Sequence, residues 1–481
     1  MTPLGYIMLP VGLAALFLSP KWLYRLFVFW TLFSASSAMN VGEGDNGSAL
    51  QVWMLFGSLW LLRFVIESLL KCDFIVDRRI ARASFWLIAF LLAALVSLVM
   101  PIYIHGSLAI TSAQLGNGSE TPLFFTSHNV TQLLYLIFGG AMAICVVRSN
   151  LRDEDRHETE RVILMAAVVV SAWGLVQLFC KVTGVPYPDY IFNNSESASG
   201  RGFMETLNGI GRLSSAATEP SVFAQSLISV LPLTLPAWLG RGSVFSIPID
   251  RACAILFALL LILCTSSIGY LGIIILGVLL VPLLVRVRFV SLAKALKGTA
   301  IAISCAAITI GLLVVSSPLV SDVIDAALLN KASAGSGLER GMTISLAFGY
   351  FEKYPLLGIG WGSATSHDLI VKLLSNVGVI GALVFSAAMY LVLRANWRAM
   401  EPLDTPMSLS RAAWFLALAV FLLTSILNEF PLAFGNFWLI LGMAMSTGWK
   451  SHKFVPHEID AAPPAHREPF HPYPIARAAT K

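Results

Sequence analysis

The sequence predicts an all-α, polytopic integral membrane protein with about thirteen transmembrane helices. Three observations lead there. Of the 481 residues, 57% are hydrophobic and only 12% charged, with a mean hydropathy of +0.77, whereas a soluble domain carries roughly 25% charged residues. Apolar runs of about 15–25 residues, the length that spans a bilayer as helix, recur along the chain. Lys and Arg concentrate in alternate connections between those runs, the pattern expected when cytoplasmic loops hold the basic excess.

In chain order the runs fall at 4–18, 22–39, 49–69, 84–104, 129–147, 161–180, 221–239, 251–266, 268–285, 298–316, 369–393, 411–428 and 432–448. The first lacks a basic leader and is expected to stay in place as a helix rather than be cleaved. The runs meeting at Ser266–Ser267 could instead form one long tilted helix. With the N-terminus outside, the inward segments are 21–25, 71–82, 148–161, 241–251, 286–297, 394–411 and the tail from Lys450. They hold 24 of the 32 Lys and Arg residues. The outer side keeps Lys181, Arg201, Arg212, Lys331, Arg340, Lys353 and Lys372. The expected organisation is a helical bundle over 1–450 and a disordered cytoplasmic tail over 451–481, where six prolines interrupt scattered charges.

The net charge of +5 is no argument for a nucleic-acid partner when its distribution follows membrane topology. The six cysteines lie in or beside apolar runs without a CxxC spacing. They read as small packing residues, not as a disulfide framework or a zinc site.

Function is expected in two long outward-facing loops, 181–220 and 317–366, since long loops in compact proteins are usually functional or disordered. Their aromatic content, including Tyr187, Tyr190, Phe203, Tyr350, Tyr354 and Trp361, is too high for a plain linker. Apolar spacing at Met342, Leu346, Phe348 and Tyr350 predicts a helix over 338–353 with Arg340 at its start. That helix stops before Pro355, because proline disfavours helix in the preceding residue. A glycine-rich turn (Gly358, Gly360, Gly362) then leads to His367 at the mouth of the next transmembrane run. Such glycines let backbone approach a ligand closely, and unpaired amides at a helix start favour an anion. An ionisable group at a transmembrane entrance is a functional candidate by default.

This stretch resembles the O-antigen ligase/polymerase family. The shared elements are Pro355, Gly358-Ile-Gly360, Ser366-His367-Asp368 and Gly378-Val-Ile-Gly381. A second segment runs from Arg212 through Glu219-Pro220-Ser221 to Phe223-Ala224. It looks like the arginine-to-Glu-Pro-Ser segment of bacterial exopolysaccharide polymerases. At Thr265-Ser-Ser-Ile268-Gly269 many relatives carry Ser-Arg-Gly, and Ile268 replaces that arginine. The first match covers about 50 residues and the second about 13; the rest agrees in topology alone.

The resemblance implies a class C type glycosyltransferase of the bacterial inner membrane. It would move a glycan from an undecaprenyl-diphosphate-linked donor to a lipid-linked glycan acceptor, with no cofactor. The outer side has no Asp-x-Asp, so a metal-independent reaction fits better. Possible partners are a flippase and a chain-length regulator. Arg340 and Arg212 would stabilise the departing diphosphate, because a guanidinium pairs two oxygens at once, and Arg201 stands in the same loop as Arg212. His367 would orient or deprotonate the acceptor hydroxyl, or Glu219 would serve as base while His367 positions. Glu219 could equally act as an acid at a helix start. Gly358 and Gly360 would approach substrate, and Trp361 and Tyr350 would stack on sugar or pack the loop. His105 and His128 belong to no pattern. The reading divides between a polymerase of lipid-linked repeats, favoured by the Glu-Pro-Ser segment, a ligase to lipid A core, a protein-glycosylating relative, and a non-enzymatic flippase. A flippase should line its bundle with charges, and few ionisable groups lie within these runs.

Overall fold

Backbone amides and carbonyls in lipid must be satisfied within the protein, and an apolar chain does so as helix. The computed structural model describes residues 1–41, 48–71, 78–111, 120–195, 202–204, 206–207, 210–286, 335–400, 406–428, 432 and 434–448. The expected helix at 298–316, the loop residues 317–334, Arg201 and the tail 451–481 lie outside the described residues.

The chain opens with α1 (Pro3–Leu18), α2 (Pro20–Trp30), the hairpin β1 (Ser37–Val41) and β2 (Ser48–Gln51), and α3 (Val52–Lys71). Next come α4 (Arg78–Ser97), α5 (Val99–Ile104), the hairpin β3 (Ala109–Thr111) and β4 (Glu120–Pro122), α6 (Ser127–Ser149) and α7 (Asp153–Thr183). A third hairpin, β5 (Thr206–Leu207) and β6 (Ile210–Gly211), precedes α8 (Pro220–Val230), α9 (Leu235–Trp238), α10 (Ile247–Leu263) and α11 (Ser267–Arg286). The last described helices are α12 (Gly335–Lys353), α13 (Leu369–Ala399), α14 (Pro406–Ser425) and α15 (Gly435–Thr447). All three hairpins are antiparallel and two-stranded.

Among the described residues, eight helices or helix pairs are long and apolar enough to cross a membrane, and the chain is a membrane-embedded helical protein. α1, α10 and α15 are shorter, with 16, 17 and 13 residues, against the roughly 20 that a perpendicular span needs. At Ser266–Ser267 the chain does break: α10 ends at Leu263, and Thr265 adopts φ 50° before α11 begins.

Three boundaries differ from the hydropathy reading, each for a physical reason. The run 22–39 is helical only to Trp30. Its serines bond backbone instead: Ser36 Oγ donates to the Phe192 carbonyl (2.7 Å), and the Ser37 amide donates to Asn194 Oδ1 (2.8 Å). α7 starts eight residues before the apolar run at 161, because its polar residues Arg156, Thr159 and Glu160 are buried while Asp153 and Glu154 at its very start are exposed. There Glu160 accepts from Trp414 Nε1 (3.0 Å) and from the Ser410 hydroxyl. The run 221–239 is broken after α8 by a 3-10 turn at Leu231–Thr234, where Pro232 and Pro236 remove helix donors.

Close neighbours pair α4 with α13, α6 with α15, α2 with α3 and α14 with α15. The core between them is aromatic, with Trp53, Trp414, Trp438, Phe27 and Phe223 fully buried. Small residues set the approach of helices where lipid supplies no hydrophobic drive: a Cβ at Gly139 would lie 2.0 Å from Trp438 Nε1. The four described cysteines, Cys145, Cys180, Cys253 and Cys264, are buried.

Candidate functional site

α13 is interrupted at Gly378 (φ 65°, ψ −171°). The interruption removes the helical bonds that Val379 and Ile380 would make to the carbonyls four residues back. The 355–360 turn supplies substitutes for both. The Val379 amide donates to Pro355 O (2.8 Å), and the Ile380 amide to Leu356 O (3.4 Å). The vacated Ser375 and Asn376 carbonyls accept from the Ile359 (2.7 Å) and Gly360 (3.1 Å) amides. Irregular backbone within a bundle is tolerable only when every polar group is satisfied in this way.

The turn's glycines are required by its close approach to α13, α5 and α6. Gly358, Gly360 and Gly362 have φ of 66°, 102° and 80°. A Cβ at Gly358 would meet Ser375 O at 2.4 Å, and one at Gly360 would meet Pro101 at 2.4 Å. The room these glycines give is therefore occupied by protein, not open to a ligand. Trp361 is buried: its amide donates to Ser97 Oγ (3.0 Å) and its carbonyl accepts from Asn129 Nδ2 (2.8 Å). Tyr350 is buried too, its hydroxyl accepting from the Thr111 amide (3.0 Å), which ties α12 to the β3–β4 hairpin. Both rings pack the loop in this state.

α12 begins at Gly335, so Arg340 lies inside the helix and not at its start. Gly335 and Gly337 read as loop by propensity, which hid the first turn. Arg340 still comes close to His367. Thr343 has one hydroxyl proton and gives it to the Arg340 carbonyl (2.9 Å). Thr343 Oγ1 also lies 2.9 Å from His367 Nδ1. In the Nδ1–H tautomer, with Thr343 donating to the Arg340 carbonyl, Nε2 is an acceptor. Burial first, then the charges of Arg340 and Lys372, push the His367 pKa down to about 4. The ring is accordingly neutral at pH 7. Asp368, next in sequence, is spent on structure, capping α13 by accepting from the Val371 amide (2.9 Å).

The second segment is built on amide side chains. Gln177 Oε1, in the apolar length of α7, accepts from the Ser214 (3.0 Å) and Ser215 (2.8 Å) amides. Asn193 Nδ2 donates to the Ser215 carbonyl (2.7 Å), and Tyr187 donates to Asn193 Oδ1 (2.8 Å). Ser215 is held at φ 53°, a conformation that persists only where the surroundings over-determine it. Residues 213–218 are all buried. The loop delivers Arg212 half-buried, its carbonyl accepting from Lys181 Nζ and its charge reaching Tyr270 of α11. At the other end Glu219 starts α8 without a side-chain capping bond. Its Oε2 accepts from the Ser221 hydroxyl (2.9 Å).

His367, Arg340 and Lys372 thus form one group on α12 and α13, and Arg212 and Glu219 a second beside α7, α8 and α11. α14 packs against both α8 and α13. Sequence reasoning missed Thr343, Gln177, Asn129 and Asn376 as the side chains that hold the site. Asn376 clamps Ala364 through both its amide nitrogen (2.9 Å) and oxygen (3.2 Å). Three of the four were legible as polar residues inside apolar runs. Among the described residues, no group of three or more His, Cys, Asp or Glu is placed to hold a metal ion. No model of a known protein family matches this chain, and no curated protein matches it.

Proposed function

We propose that the chain is a lipid-linked glycan transferase of the polymerase type, extending undecaprenyl-diphosphate-linked repeat units on the outer face of a bacterial inner membrane. The carrying observation is His367, a neutral imidazole held against Thr343 and set beside two cations. In the transfer, the acceptor hydroxyl oxygen attacks the anomeric carbon of the donor. The carbon–oxygen bond to the diphosphate breaks, and its electron pair leaves with undecaprenyl diphosphate. The hydroxyl proton passes to His367 Nε2, and the charge on the diphosphate falls to Arg340 and Lys372.

An arriving diphosphate also offsets the two cations that depress His367, so its basicity rises when substrate is bound. Glu219, whose carboxylate accepts from the Ser221 hydroxyl, and Arg212 serve the same reaction from the second loop. The test is the size distribution of undecaprenyl-linked glycans in cells lacking the chain. Single repeats stalled on the outer leaflet are the expected result. Long chains accumulating on the carrier would make the protein a ligase, and repeats trapped on the inner leaflet would make it a transporter.

A further inference from the structure

Between the β3–β4 hairpin and the 362–365 turn lies a cavity of 320 Å³, at the small end of ligand pockets, which run roughly 300–1,000 Å³. Its lining includes Thr111, Thr126, Ser363 and Thr365, with the ring of Phe124 and the imidazole of His128. None of the catalytic assignments uses it. The Thr111, Ser363 and Thr365 hydroxyls can each donate and accept, as a polyol requires, while Thr126 gives its proton to Asn129 Oδ1 (3.1 Å); an exposed aromatic ring offers a face to the C–H side of a sugar.

The walls are set before any ligand arrives. Phe124 is held edge-on to His105, with ring centroids 5.2 Å apart, and its rim abuts the positive-φ Gly106. Asn129 bonds Ser363 Oγ (2.9 Å) as well as the Trp361 carbonyl. Tyr350 fixes the Thr111 amide. Thr365 and His128 stay exposed at the rim. The cavity also adjoins the reactive group: Thr365 is two residues from His367, and Lys372 acts electrostatically on both His128 and His367.

We infer that this cavity is a carbohydrate subsite, holding one sugar ring of the repeat unit beside His367 through the Thr and Ser hydroxyls and the Phe124 face. The inference rests on the glycan-transfer reading for its ligand but not for its test. Full-length protein in detergent is mixed with repeat-unit oligosaccharide released from its carrier by mild acid, and binding is read by saturation-transfer NMR. Wild type should bind. Thr365→Trp, which fills the cavity from an exposed position, and Phe124→Ala, which empties one wall, should each weaken binding roughly tenfold or more. Arg340→Ala, which removes charge meant for the diphosphate, should keep the binding.

In transfer assays the loss from Thr365→Trp should fall on KM more than on kcat. Equal binding by wild type and both cavity variants, or no binding by wild type, overturns the subsite. If wild type transfers glycan while the variants bind as well as it does, the subsite falls and the transferase stands. If binding depends on the cavity but wild type never transfers, the subsite stands and the transferase reading falls.

Discussion

The 355–368 turn and the 212–219 loop both bring irregular backbone into a helical bundle, and both end on an acid at a helix start. The turn uses glycines at positive φ, which fit against the broken helix at Gly378. The loop uses buried amides, Gln177 and Asn193, which saturate its peptide groups. The two acids then diverge. Asp368 caps α13 through the Val371 amide, whereas Glu219 makes no side-chain capping bond and, among the described residues, accepts from the Ser221 hydroxyl. An acid preceding a helix is thus no sign of chemistry by itself; what its oxygens are bonded to separates scaffold from candidate reactive group.

The largest effect should come from breaking the turn. Gly378→Ala places a Cβ 2.1 Å from the Leu356 carbonyl at φ 65°, so strain and overpacking together should cost roughly 3 kcal/mol or more. The detergent-solubilised protein should lose its cooperative melt or shift it strongly downward. Gly341→Ala, with nothing within 4 Å of the new Cβ, should melt as wild type does.

The acids separate next. Glu219→Gln should lower elongation by about a hundredfold or more with little change in melting temperature. Asp368→Ala should cost about 1 kcal/mol of stability and retain most of its elongation. The reverse pattern would exchange the two roles.

The smallest effect is one of titration. His367, at about 4 in the folded chain, lies below the 6.5 of an unfolded histidine. The unfolded chain binds the extra proton between those values, so this group's contribution to stability falls as pH drops from about 6.5 toward about 4. By NMR on histidine-labelled protein, the His367 ring should stay neutral down to about pH 5. In Arg340→Ala its titration should move upward, by less than the full shift, because burial is the larger cause.

The helical membrane architecture was legible because apolar length and basic alternation are one-dimensional signals. The turn's position was legible as well, since Pro355 and three glycines punctuate it. The partners of those glycines were not: that Gly358 faces Ser375, and Gly360 faces Pro101, depends on a helix broken at Gly378, which hydropathy reads as continuous. The burial of Trp361 and Tyr350 was hidden for the same reason. Their contacts come from Ser97, Asn129 and Thr111, more than 200 residues away in sequence. The contact of His367 Nδ1 with Thr343 could not be read at all, because it depends on how α12 packs beside the turn.

Whether His367 Nε2 takes the acceptor's proton can be tested with purified protein in liposomes. Undecaprenyl-diphosphate-linked repeats are supplied at pH 7, and product length is read together with released undecaprenyl diphosphate. Wild type should lengthen the glycan and release one carrier per repeat added, and His367→Ala, equally folded and inserted, should do neither. Elongation by His367→Ala at the wild-type rate would contradict the claim.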